Sequence, residues 1–317
     1  MKHIFVVNPT AGKGKGLAAV REQVKDRPGC EILLPGSAQE TVEMIRQRAE
    51  AAPEEELCFV ACGGDGTVNA VANGVLSVDN ACMTVFALGS GNDYIKVFGG
   101  KSRFTDVETI LRAEPHPVDV LRVNDRWCVN AFHFGLDSAV AKTMNEVKEK
   151  AVIGGRNAYP TGVAKALIFS MRTPCSIRVD GEEFHSGDML LCTVACGEYV
   201  GGSYRCAPRS ILDDGFAEIC LVKPVSRLRF LTLMNAYKTG QHLTDPRFTE
   251  LIQYRRGRVI EVEGDPGFIV SLDGEVVEGT SFRAEVVPGR LRFAAADPPT
   301  NGWSAAAPVT AAGETSR

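Results

Sequence analysis

Apolar and polar residues alternate along the first third of the chain in a pattern that predicts short buried strands, each followed by an amphipathic helix. One such helical face is formed by Val68, Val71 and Val75, which recur at helical spacing. The predicted elements, in chain order, are strand 3–8, helix 17–25, strand 30–34, helix 38–50, strand 57–62, helix 66–76, strand 83–88, helix 92–97 and a helix near 105–113. This alternation predicts an α/β domain built on a parallel sheet with helices on both faces.

The pattern changes near residue 116, in the stretch EPHP, and strand-like runs dominate from there on. Two of these runs flank a turn at Asn124 and Asp125, and a helical stretch from about 137 to 171 follows. Further strands are predicted at 175–180, 188–196, 216–222, 258–263, 267–272 and 281–287. The second half therefore predicts an antiparallel β-sandwich with helical insertions.

These patterns divide the chain into three segments. We predict an α/β domain over 1–116, a β-rich domain over 117–288 and a C-terminal segment over 289–317. From residue 297 onward the chain is poor in large apolar side chains, so we expect it to be disordered there.

Charge and apolar content limit the possible partners. The 317 residues carry a formal net charge of −4, which gives no overall basic field for nucleic acid or an acidic membrane, so any membrane contact is expected to be local. No apolar run approaches the ~20 residues of a spanning helix, and the first apolar stretch is too short for a signal peptide. We therefore expect a cytoplasmic protein without a nucleic-acid partner, at most peripheral on the inner face of the membrane.

Ten cysteines raise the question of disulfides or zinc. No C-x-x-C pair occurs, and the closest pairs, Cys58 with Cys62 and Cys192 with Cys196, lie inside apolar strand-like runs. Buried free thiols in a reducing compartment are the expected state, and we assign no zinc.

The stretch CGGDGTVNA, residues 62–70, joins a predicted buried strand to the first turn of a helix. Free backbone N–H groups and the positive end of a helix dipole favour an anion there, and glycine lets a ligand approach the main chain closely. Asp65, in the middle, is unfavourable beside a phosphate unless a cation such as Mg²⁺ joins it. The alternative is a tight strand-to-helix turn that binds nothing.

Two more glycine-rich loops follow strand ends, NPTAGKGKG at 8–16 and GSGND at 89–93. The first fits neither the Walker pattern nor the dinucleotide fingerprint, and a solvated loop with two lysines is its alternative interpretation. In the second, Asn92 or Asp93 can cap the next helix. Because the carboxyl ends of parallel strands share one edge of a sheet, the three loops predict a triphosphate site with a metal at Asp65 and, as a second candidate, Asp93.

Five stretches, taken in order, resemble the soluble bacterial diacylglycerol kinase family, whose members are lipid kinases related to sphingosine and ceramide kinases. They are NPTAGKGKG, GGDGTVNAVANG and GSGNDYIKVFG in the first half, with GEYVGGSYRCAPRSILDDGF at 197–216 and SLDGEVVEG at 271–279 in the second. GGDGT alone is a weak signal, because NAD kinases and phosphofructokinases carry something like it. The ordered set is specific, and the resemblance covers roughly residues 5–290.

The resemblance implies an ATP site in the first domain and a lipid site in the second. The residues that it assigns to ATP are Asn8, Pro9, Thr10, Ala11, Gly12, Lys13, Gly63, Gly64, Asp65, Gly66, Thr67, Asn69, Ser90, Gly91, Asn92 and Asp93. Asp65 would act through the catalytic Mg²⁺ or its water. Asp273 or Glu275 would accept the proton of the acceptor hydroxyl, and we take Asp273 as the first candidate for this base.

The resemblance also implies a second, structural Mg²⁺ in the Asp-Asp-Gly turn. Its ligands would be Asp214 and the backbone carbonyls of Ile211 and Phe216. Such oxygen ligands suit Mg²⁺. From the residues alone, however, Asp-Gly pairs of this kind simply make hairpin turns.

The resulting prediction is an ATP- and Mg²⁺-dependent lipid kinase, with diacylglycerol as the default acceptor and phosphatidic acid as the product. Kinases for phosphatidylglycerol, a sphingoid lipid, an undecaprenol-like lipid or NAD stay open, because acceptor choice depends on cavity shape. A nucleotide-binding regulator without turnover also stays open, although Asp65, Asp273 and Glu275 together argue against it. The expected partner is a lipid substrate at the membrane surface, and a homodimer is an expectation from the family.

Residues 226–240, SRLRFLTLMNAYKTG, combine apolar and basic side chains at helical spacing. Such a helix can contact an anionic bilayer surface. It is more often a core helix with one solvated face, and the sequence leaves both interpretations open.

Overall fold

The computed structural model describes residues 1–136, 138–140, 142 and 171–304, and for Lys13 it describes the backbone only. The helical stretch predicted from about 137 to 171 therefore lies outside the described residues except at a few positions. The chain divides into two compact units. Unit 1 consists of Met1–Val120, Ile211–Gly215 and Val287–Arg317, and unit 2 consists of Leu121–Ser210 and Phe216–Val286.

Unit 1 contains a parallel sheet with helices between its strands. The strands are β1 (Lys2–Val7), β2 (Cys30–Leu33), β3 (Leu57–Gly63) and β4 (Ala81–Ala87), and the helices are α1 (Gly16–Val24), α2 (Ala38–Glu50), α3 (Asp65–Val75) and α4 (Val107–Leu111). The strand order is β2-β1-β3-β4, all parallel. Every residue of β3 and β4 is buried, which is typical of central strands covered on both faces. The predicted α/β fold is confirmed.

Two of the loops at the strand ends contain short 3₁₀ helices. Ala11–Gly14 follows β1, and Tyr94–Phe98 follows β4. The helix predicted over 92–97 is present as a 3₁₀ helix that begins two residues later, at Tyr94. Gly99 and Gly100 take left-handed conformations, with φ of 88° and 82°, and end this segment after a single 3₁₀ stretch.

The last strand, β16 (Ser281–Ala295), continues well beyond the predicted end at 287. Pro288 and Gly289 look like a strand end in the sequence, yet Gly289 takes a φ of 60° within the strand and the chain goes on. Phe293 then pairs in parallel with Met83 of β4. The residues of β16 up to 286 belong to unit 2, and those from Val287 onward belong to unit 1.

The chain after residue 297 is held by specific contacts as far as it is described. Thr300 donates its N–H and its hydroxyl to the carbonyl of Val97, at 2.6 and 2.8 Å. Trp303 stacks on His116 with ring centroids 3.8 Å apart. The expected disorder is therefore wrong for residues 298–304, because a few anchoring side chains outweigh a weakly apolar composition. Residues 305–317 lie outside the described residues.

Unit 2 is built from antiparallel strands. They are β5 (Glu114–Val123, shared with unit 1), β6 (Arg126–Cys128), β7 (Ala131–Gly135), β8 (Thr173–Val179), β9 (Glu182–Met189), β10 (Leu191–Ala195), β11 (Ala217–Val222), β12 (Ile252–Gly257), β13 (Val259–Gly264), β14 (Ile269–Leu272) and β15 (Glu275–Glu278). One sheet has the order β16-β13-β8-β9 within this unit, and the other has the order β12-β11-β10-β7-β14-β15. A cluster that includes Phe132, Ile177 and Ile260 draws apolar side chains from both sheets. The predicted antiparallel β-domain is confirmed.

Three strands were not predicted: β9, β12 and β15. The sequence of β9, EEFHSGDM, lacks apolar alternation. Among the described strands β9 pairs with β8 alone, at the sheet edge, and most of its side chains are exposed. The single strand predicted at 188–196 is divided between the end of β9 and β10.

One helix, α5 (Arg227–Thr239), packs on the second sheet of unit 2 through Phe230, Leu233 and Tyr237. The hydroxyl of Ser226 accepts the N–H of Arg229 at its start. The described helices include none with the length and apolar content needed to cross a membrane.

Candidate active site

The strands β1, β3 and β4 are neighbours in the parallel sheet of unit 1, so the loops that follow them emerge side by side. These loops, taken together with the first residues of α1 and α3, span 8–16, 64–67 and 88–93, and they carry most of the residues that the sequence assigns to ATP. The predicted convergence of the three glycine-rich loops is present in the structure.

Asn8 joins the first loop to the second. Its side-chain oxygen accepts the N–H and the hydroxyl of Thr10, at 3.0 and 2.8 Å, and its amide nitrogen lies 3.4 Å from the hydroxyl of Thr67. Its backbone N–H donates to the carbonyl of Cys62 at the end of β3. One asparagine therefore shapes its own turn and fixes that turn against α3.

Asp65 joins the second loop to the third. Its Oδ1 accepts the N–H of Asp93 at 2.6 Å, and its Oδ2 accepts the N–H of Asn92 at 2.9 Å. The Asn92 amide returns a hydrogen bond to the carbonyl of Gly63, at 3.0 Å. Asp65 is also the first residue of α3, where a negative charge is favoured by the helix dipole.

The glycines of these loops are required by the packing of the loops against each other. A Cβ at Gly89 would lie 2.4 Å from the Cα of Gly64, and a Cβ at Gly91 would lie 2.4 Å from Oδ2 of Asp65. The first contact can be relieved only by a shift of the backbone, and the second only by moving the Asp65 carboxylate, which the N–H groups of Asn92 and Asp93 hold in place. Gly89 therefore lets the main chains of two loops touch, and Gly91 leaves room for the Asp65 carboxylate. Both reasons differ from the close ligand approach considered in the sequence.

The first loop is more open. Gly12 and Gly14 have φ of 60° and 80°, and a Cβ at either would meet nothing within 4 Å. Glycine is needed there for backbone conformation, and it leaves a main-chain surface that an anion can approach. The side chain of Lys13 lies outside the described part of the molecule.

Two carboxyl groups at this edge fit a divalent cation. Burial raises the pKa of Asp65, and the nearby charge of Asp93 raises it further. Asp93 forms an ion pair with Lys96. Among the described residues no group of three or more His, Cys, Asp or Glu side chains could hold a metal. Mg²⁺ is commonly held by one or two carboxylates together with substrate phosphates, so Asp65 and Asp93 suit a site that the nucleotide completes.

The other predicted ATP contacts line the same edge. Exposed positions are Pro9, Thr10, Gly66 and Ser90, and partly buried ones are Ala11, Gly12, Gly64, Thr67, Asn69 and Gly91. One further residue, Lys101, donates its ammonium group to the carbonyl of Gly89 at 2.9 Å. Lys101 was not predicted, because the segment KSRF carries no motif and only the fold brings it to the loop.

In unit 2, Asp273 begins the turn between β14 and β15. Its φ of 49° and the φ of 92° at Gly274 are typical of a two-residue hairpin turn. Its Oδ1 accepts the N–H groups of Asn130 and Ala131, at 3.0 and 2.9 Å, and its Oδ2 accepts the N–H of Val129 at 2.7 Å.

The thiol of Cys128 donates a further hydrogen bond to Oδ1 of Asp273, at 3.2 Å. Hydrogen bonds from several donors fix the direction of this carboxylate. Glu275, by contrast, is exposed and pairs with Arg126 at 2.7 Å. Which of Asp273 and Glu275 acts as the base stays a prediction.

Asn130 is a residue that the sequence analysis missed. Besides its bond to Asp273, it donates its side-chain amide to the carbonyl of Tyr199 at 2.8 Å, and its own carbonyl accepts the N–H groups of Cys196 and Gly197. It thereby links the Asp273 turn to the loop 197–205. A lone asparagine within the apolar run WCVNAFHF is the signal that could have found it.

A second missed residue, Asp119 of β5, contacts the predicted metal turn. This carboxylate is 2% exposed and accepts the N–H groups of Gly215 and Gly289, at 2.6 and 2.8 Å. Burial raises the pKa of Asp119 to about 6, and the charges of Asp214 and Asp213 also raise it. Both oxygens of Asp119 thus already accept backbone N–H groups, and the structure does not test the metal predicted at the neighbouring turn.

The predicted ligands of that second metal fall in different units. Ile211 and Asp214 belong to unit 1 and Phe216 belongs to unit 2. The ring of Phe216 lies beneath the guanidinium groups of Arg256 and Arg258, 4.7 and 4.6 Å from its centre. The assignment of Asp214, Ile211 and Phe216 as metal ligands stays a prediction.

Comparison with known proteins gives consistent matches along the chain. A family model described as the diacylglycerol kinase catalytic domain matches residues 2–123. A second, described as the YegS C-terminal NAD kinase beta sandwich-like domain, matches residues 130–295, which is more than half of the chain.

Curated relatives and a solved structure agree with these matches. A protein of Stenotrophomonas maltophilia named "Probable lipid kinase YegS-like" is 28% identical, over 78% of this chain and 82% of its own. The diacylglycerol kinase of Bacillus subtilis is 27% identical, over 86% of this chain and 88% of its own. The fold resembles a crystal structure of a diacylglycerol kinase from Bacillus anthracis, with a TM-score of 0.65 and 21% identity, over 93% of this chain and 96% of that one.

Proposed function

Because the chain belongs to the bacterial lipid kinase family that carries the diacylglycerol kinase catalytic domain, we propose that it phosphorylates diacylglycerol to phosphatidic acid with ATP and Mg²⁺. Its activity as an ATP-dependent lipid kinase follows from the family. The observation that carries the proposal is the joined set of three glycine-rich loops at one edge of the unit 1 sheet. Asn8 and Asp65 hold these loops together.

Phosphoryl transfer requires a protein to position the reactants and to compensate the charge on the transferred phosphate, and we assign both roles to these loops. The open main chain at Gly12 and Gly14 is the surface we assign to phosphate oxygens. Asp65 keeps the loop of Asn92 and Asp93 in place through two hydrogen bonds. Mg²⁺, held by Asp65 and Asp93, would neutralise charge on the transferred phosphate.

We assign Asp273 as the base that accepts the proton of the acceptor hydroxyl, with Glu275 as the alternative. A positioned carboxylate base contributes ~10²–10⁴-fold to such a reaction. Asp273 is held in one direction by four donors, which is the kind of fixed orientation that a base needs.

Diacylglycerol is the proposed acceptor because a matched relative is named for it. Phosphatidylglycerol, a sphingoid lipid and NAD are alternative acceptors, and a nucleotide-binding regulator is the alternative without catalysis. We also propose that the chain meets its lipid at a membrane surface. A homodimer stays part of the proposal and is tested by light scattering.

The test is transfer of the γ-phosphate of ATP to a panel of detergent-dispersed lipids and to NAD, with and without Mg²⁺. The expected result is Mg²⁺-dependent formation of phosphatidic acid from diacylglycerol. Binding of ATP without any transfer would support the regulator. Transfer to NAD and to no lipid would overturn the proposed acceptor class.

A further inference from the structure

The two most exposed large apolar side chains in the part of the chain that the structure describes lie one turn apart on α5. Leu228 is 80% exposed and Leu231 is 55% exposed. The opposite side of the helix is already occupied, because Phe230, Leu233 and Tyr237 are buried against the second sheet of unit 2. A helix at the surface of a globular protein normally has a polar outer face. The two leucines therefore require a separate explanation.

The outer side of α5 is also basic. The sequence of the helix, RLRFLTLMNAYKT, contains Arg227, Arg229 and Lys238, and it contains no acidic residue. All three basic residues are exposed. This local charge is opposite in sign to the net charge of −4 of the whole chain. Exposed leucines beside arginine and lysine are the combination that binds anionic lipid surfaces.

The helix is capped at both ends and packed along its buried face, so this surface exists before any partner binds. Ser226 caps its start, and Gly240, with a φ of 77°, ends it. The hydroxyl of Tyr237 lies 3.1 Å from that of Thr193 on β10. A preformed backbone loses less conformational entropy on binding than a segment that folds on binding, which favours association.

The far end of α5 contacts a loop that is tied to Asp273. The carbonyl of Lys238 accepts the N–H of Arg205 at 3.4 Å, and Arg205 belongs to the loop 197–205. Asn130 connects that loop to Asp273 by two hydrogen bonds, one to each. At a rise of 1.5 Å per residue, Leu231 lies about 10 Å along the helix from Lys238. Within unit 2, the exposed leucines and Asp273 are thus joined by one continuous set of contacts.

We propose that the face of α5 formed by Leu228, Leu231 and the basic residues beside them is a membrane-contact surface that binds anionic bilayers. The proposal rests on the proposed function, because a lipid kinase has to reach an acceptor whose acyl chains lie in a bilayer. Charge favours a bilayer over a second copy of the chain. Two copies of this face, brought together by a two-fold axis, would place like charges against each other.

The test uses flotation of the full-length protein with lipid vesicles. The parent is expected to bind vesicles of phosphatidylcholine containing phosphatidylglycerol, and to bind pure phosphatidylcholine weakly. The double variant L228E/L231E is expected to lose about tenfold or more of this binding, because two leucines no longer enter the bilayer. The matched control is Leu34→Glu, which makes the same substitution at an exposed leucine of unit 1 and leaves binding unchanged.

A second pair of variants isolates the electrostatic contribution to vesicle binding. Arg227→Gln and Lys238→Gln are each expected to weaken binding to the anionic vesicles by about fivefold, and to leave binding to neutral vesicles unaltered. High salt should abolish this difference. Equal binding by the parent, L228E/L231E and L34E to anionic vesicles would overturn the proposal.

Kinase activity separates this inference from the proposed function. On a short-chain, water-soluble diacylglycerol, L228E/L231E should match the parent, and on diacylglycerol in vesicles it should be slower. Equal loss on both substrates would contradict a role in membrane contact. Dissociation of a dimer in this variant, with vesicle binding retained, would make the face an interface between copies and overturn the proposal. If the parent floats through α5 but phosphorylates no lipid, the proposed function fails and the membrane surface stands.

Discussion

Two hairpin turns of unit 2 have nearly the same structure and are expected to have different functions. Asp180-Gly181 joins β8 to β9, and Asp273-Gly274 joins β14 to β15, with φ of 52° and 83° in the first and 49° and 92° in the second. Asp180 accepts the N–H groups of Arg258 and Val259, both at 2.9 Å, much as Asp273 accepts those of residues 129–131.

This similarity shows that a fixed, hydrogen-bonded aspartate in a hairpin is a structural device in its own right. The geometry of the Asp273 turn alone does not make it catalytic. What distinguishes Asp273 is the thiol of Cys128 and the link through Asn130 to the loop 197–205. The Asp180 turn provides a control for every experiment on Asp273.

The largest expected difference between the turns is in activity. Asp273→Asn should lower kcat at least about a hundredfold, because the proposed base is lost. Asp180→Asn should leave kcat close to that of the parent. Both should lower the melting temperature to a similar degree, since each removes a charged acceptor from backbone N–H groups. The measurements are lipid phosphorylation rates and thermal unfolding, and equal kcat in the two variants would remove Asp273 from the mechanism.

Lowering the pH should destabilise the surroundings of the Asp273 turn before those of the Asp180 turn. The donors to Asp273 lead directly into β7, which carries His133, and burial lowers the pKa of His133 to about 4. The unfolded chain takes up this proton near pH 6.5 and the folded chain near 4. The free energy of unfolding that this group affects is therefore highest above pH 6.5. It falls by about 3 kcal/mol as the pH drops from 6.5 towards 4.

The check is the free energy of unfolding in urea between pH 7 and 4.5, together with hydrogen exchange at the two turns. His133→Gln should flatten the pH dependence, and the donors at 129–131 should lose protection before 258 and 259 do. Asp119 has the opposite effect on stability. Its pKa of about 6 in the folded chain lies above the ordinary 3.8, so its contribution to the free energy of unfolding rises as the pH falls from 6 towards 3.8. An unchanged slope in His133→Gln would contradict the assignment.

A third Asp-Gly pair, Asp65-Gly66, extends the comparison to a helix start. Gly91→Ala should lower the free energy of unfolding by about 1–3 kcal/mol, because its methyl group would lie 2.4 Å from Asp65 Oδ2. Gly66→Ala is the control, since a Cβ there meets nothing within 4 Å and the residue lies in the first turn of α3. Urea unfolding measures both, and equal stabilities would show that the loops do not need this close approach.

The smallest expected effect concerns the thiol of Cys128, which contacts the aspartate of the Asp273 hairpin. Cys128→Ala removes one donor to Asp273 and should lower the free energy of unfolding by about 1 kcal/mol. Burial raises the pKa of the Cys128 thiol, and the charge of Asp273 adds to that. The thiol is therefore protonated at neutral pH and should resist alkylation in the folded protein. Rapid alkylation of Cys128 without unfolding would contradict this state.

The sequence predicted the parts of the fold that depend on local pattern. The alternation of strands and helices in unit 1 and the three glycine-rich loops are local features, and the parallel sheet brings those loops together. Asp65 and Asn92 could be assigned to a shared edge for that reason. The antiparallel character of unit 2 was predictable from strand-like runs and turns.

What the sequence did not predict depends on contacts between distant residues. Asn130 and Asp273 are 143 positions apart, and neither stretch carries a sequence signal that predicts the contact. Asp119 lies within an ordinary strand, and its partner Gly289 is 170 positions away. β9 was missed because an edge strand with exposed polar side chains has no apolar period.

The path of β16 has a consequence for biosynthesis. Phe293 pairs with Met83 and packs its ring 5.0 Å from that of Tyr94 and 5.2 Å from that of Phe98. Nascent chains usually fold from the N-terminal domain onward. Here the amino-terminal sheet lacks its fifth strand until residue 293 has emerged from the ribosome. The nucleotide-binding half is therefore translated first and completed last.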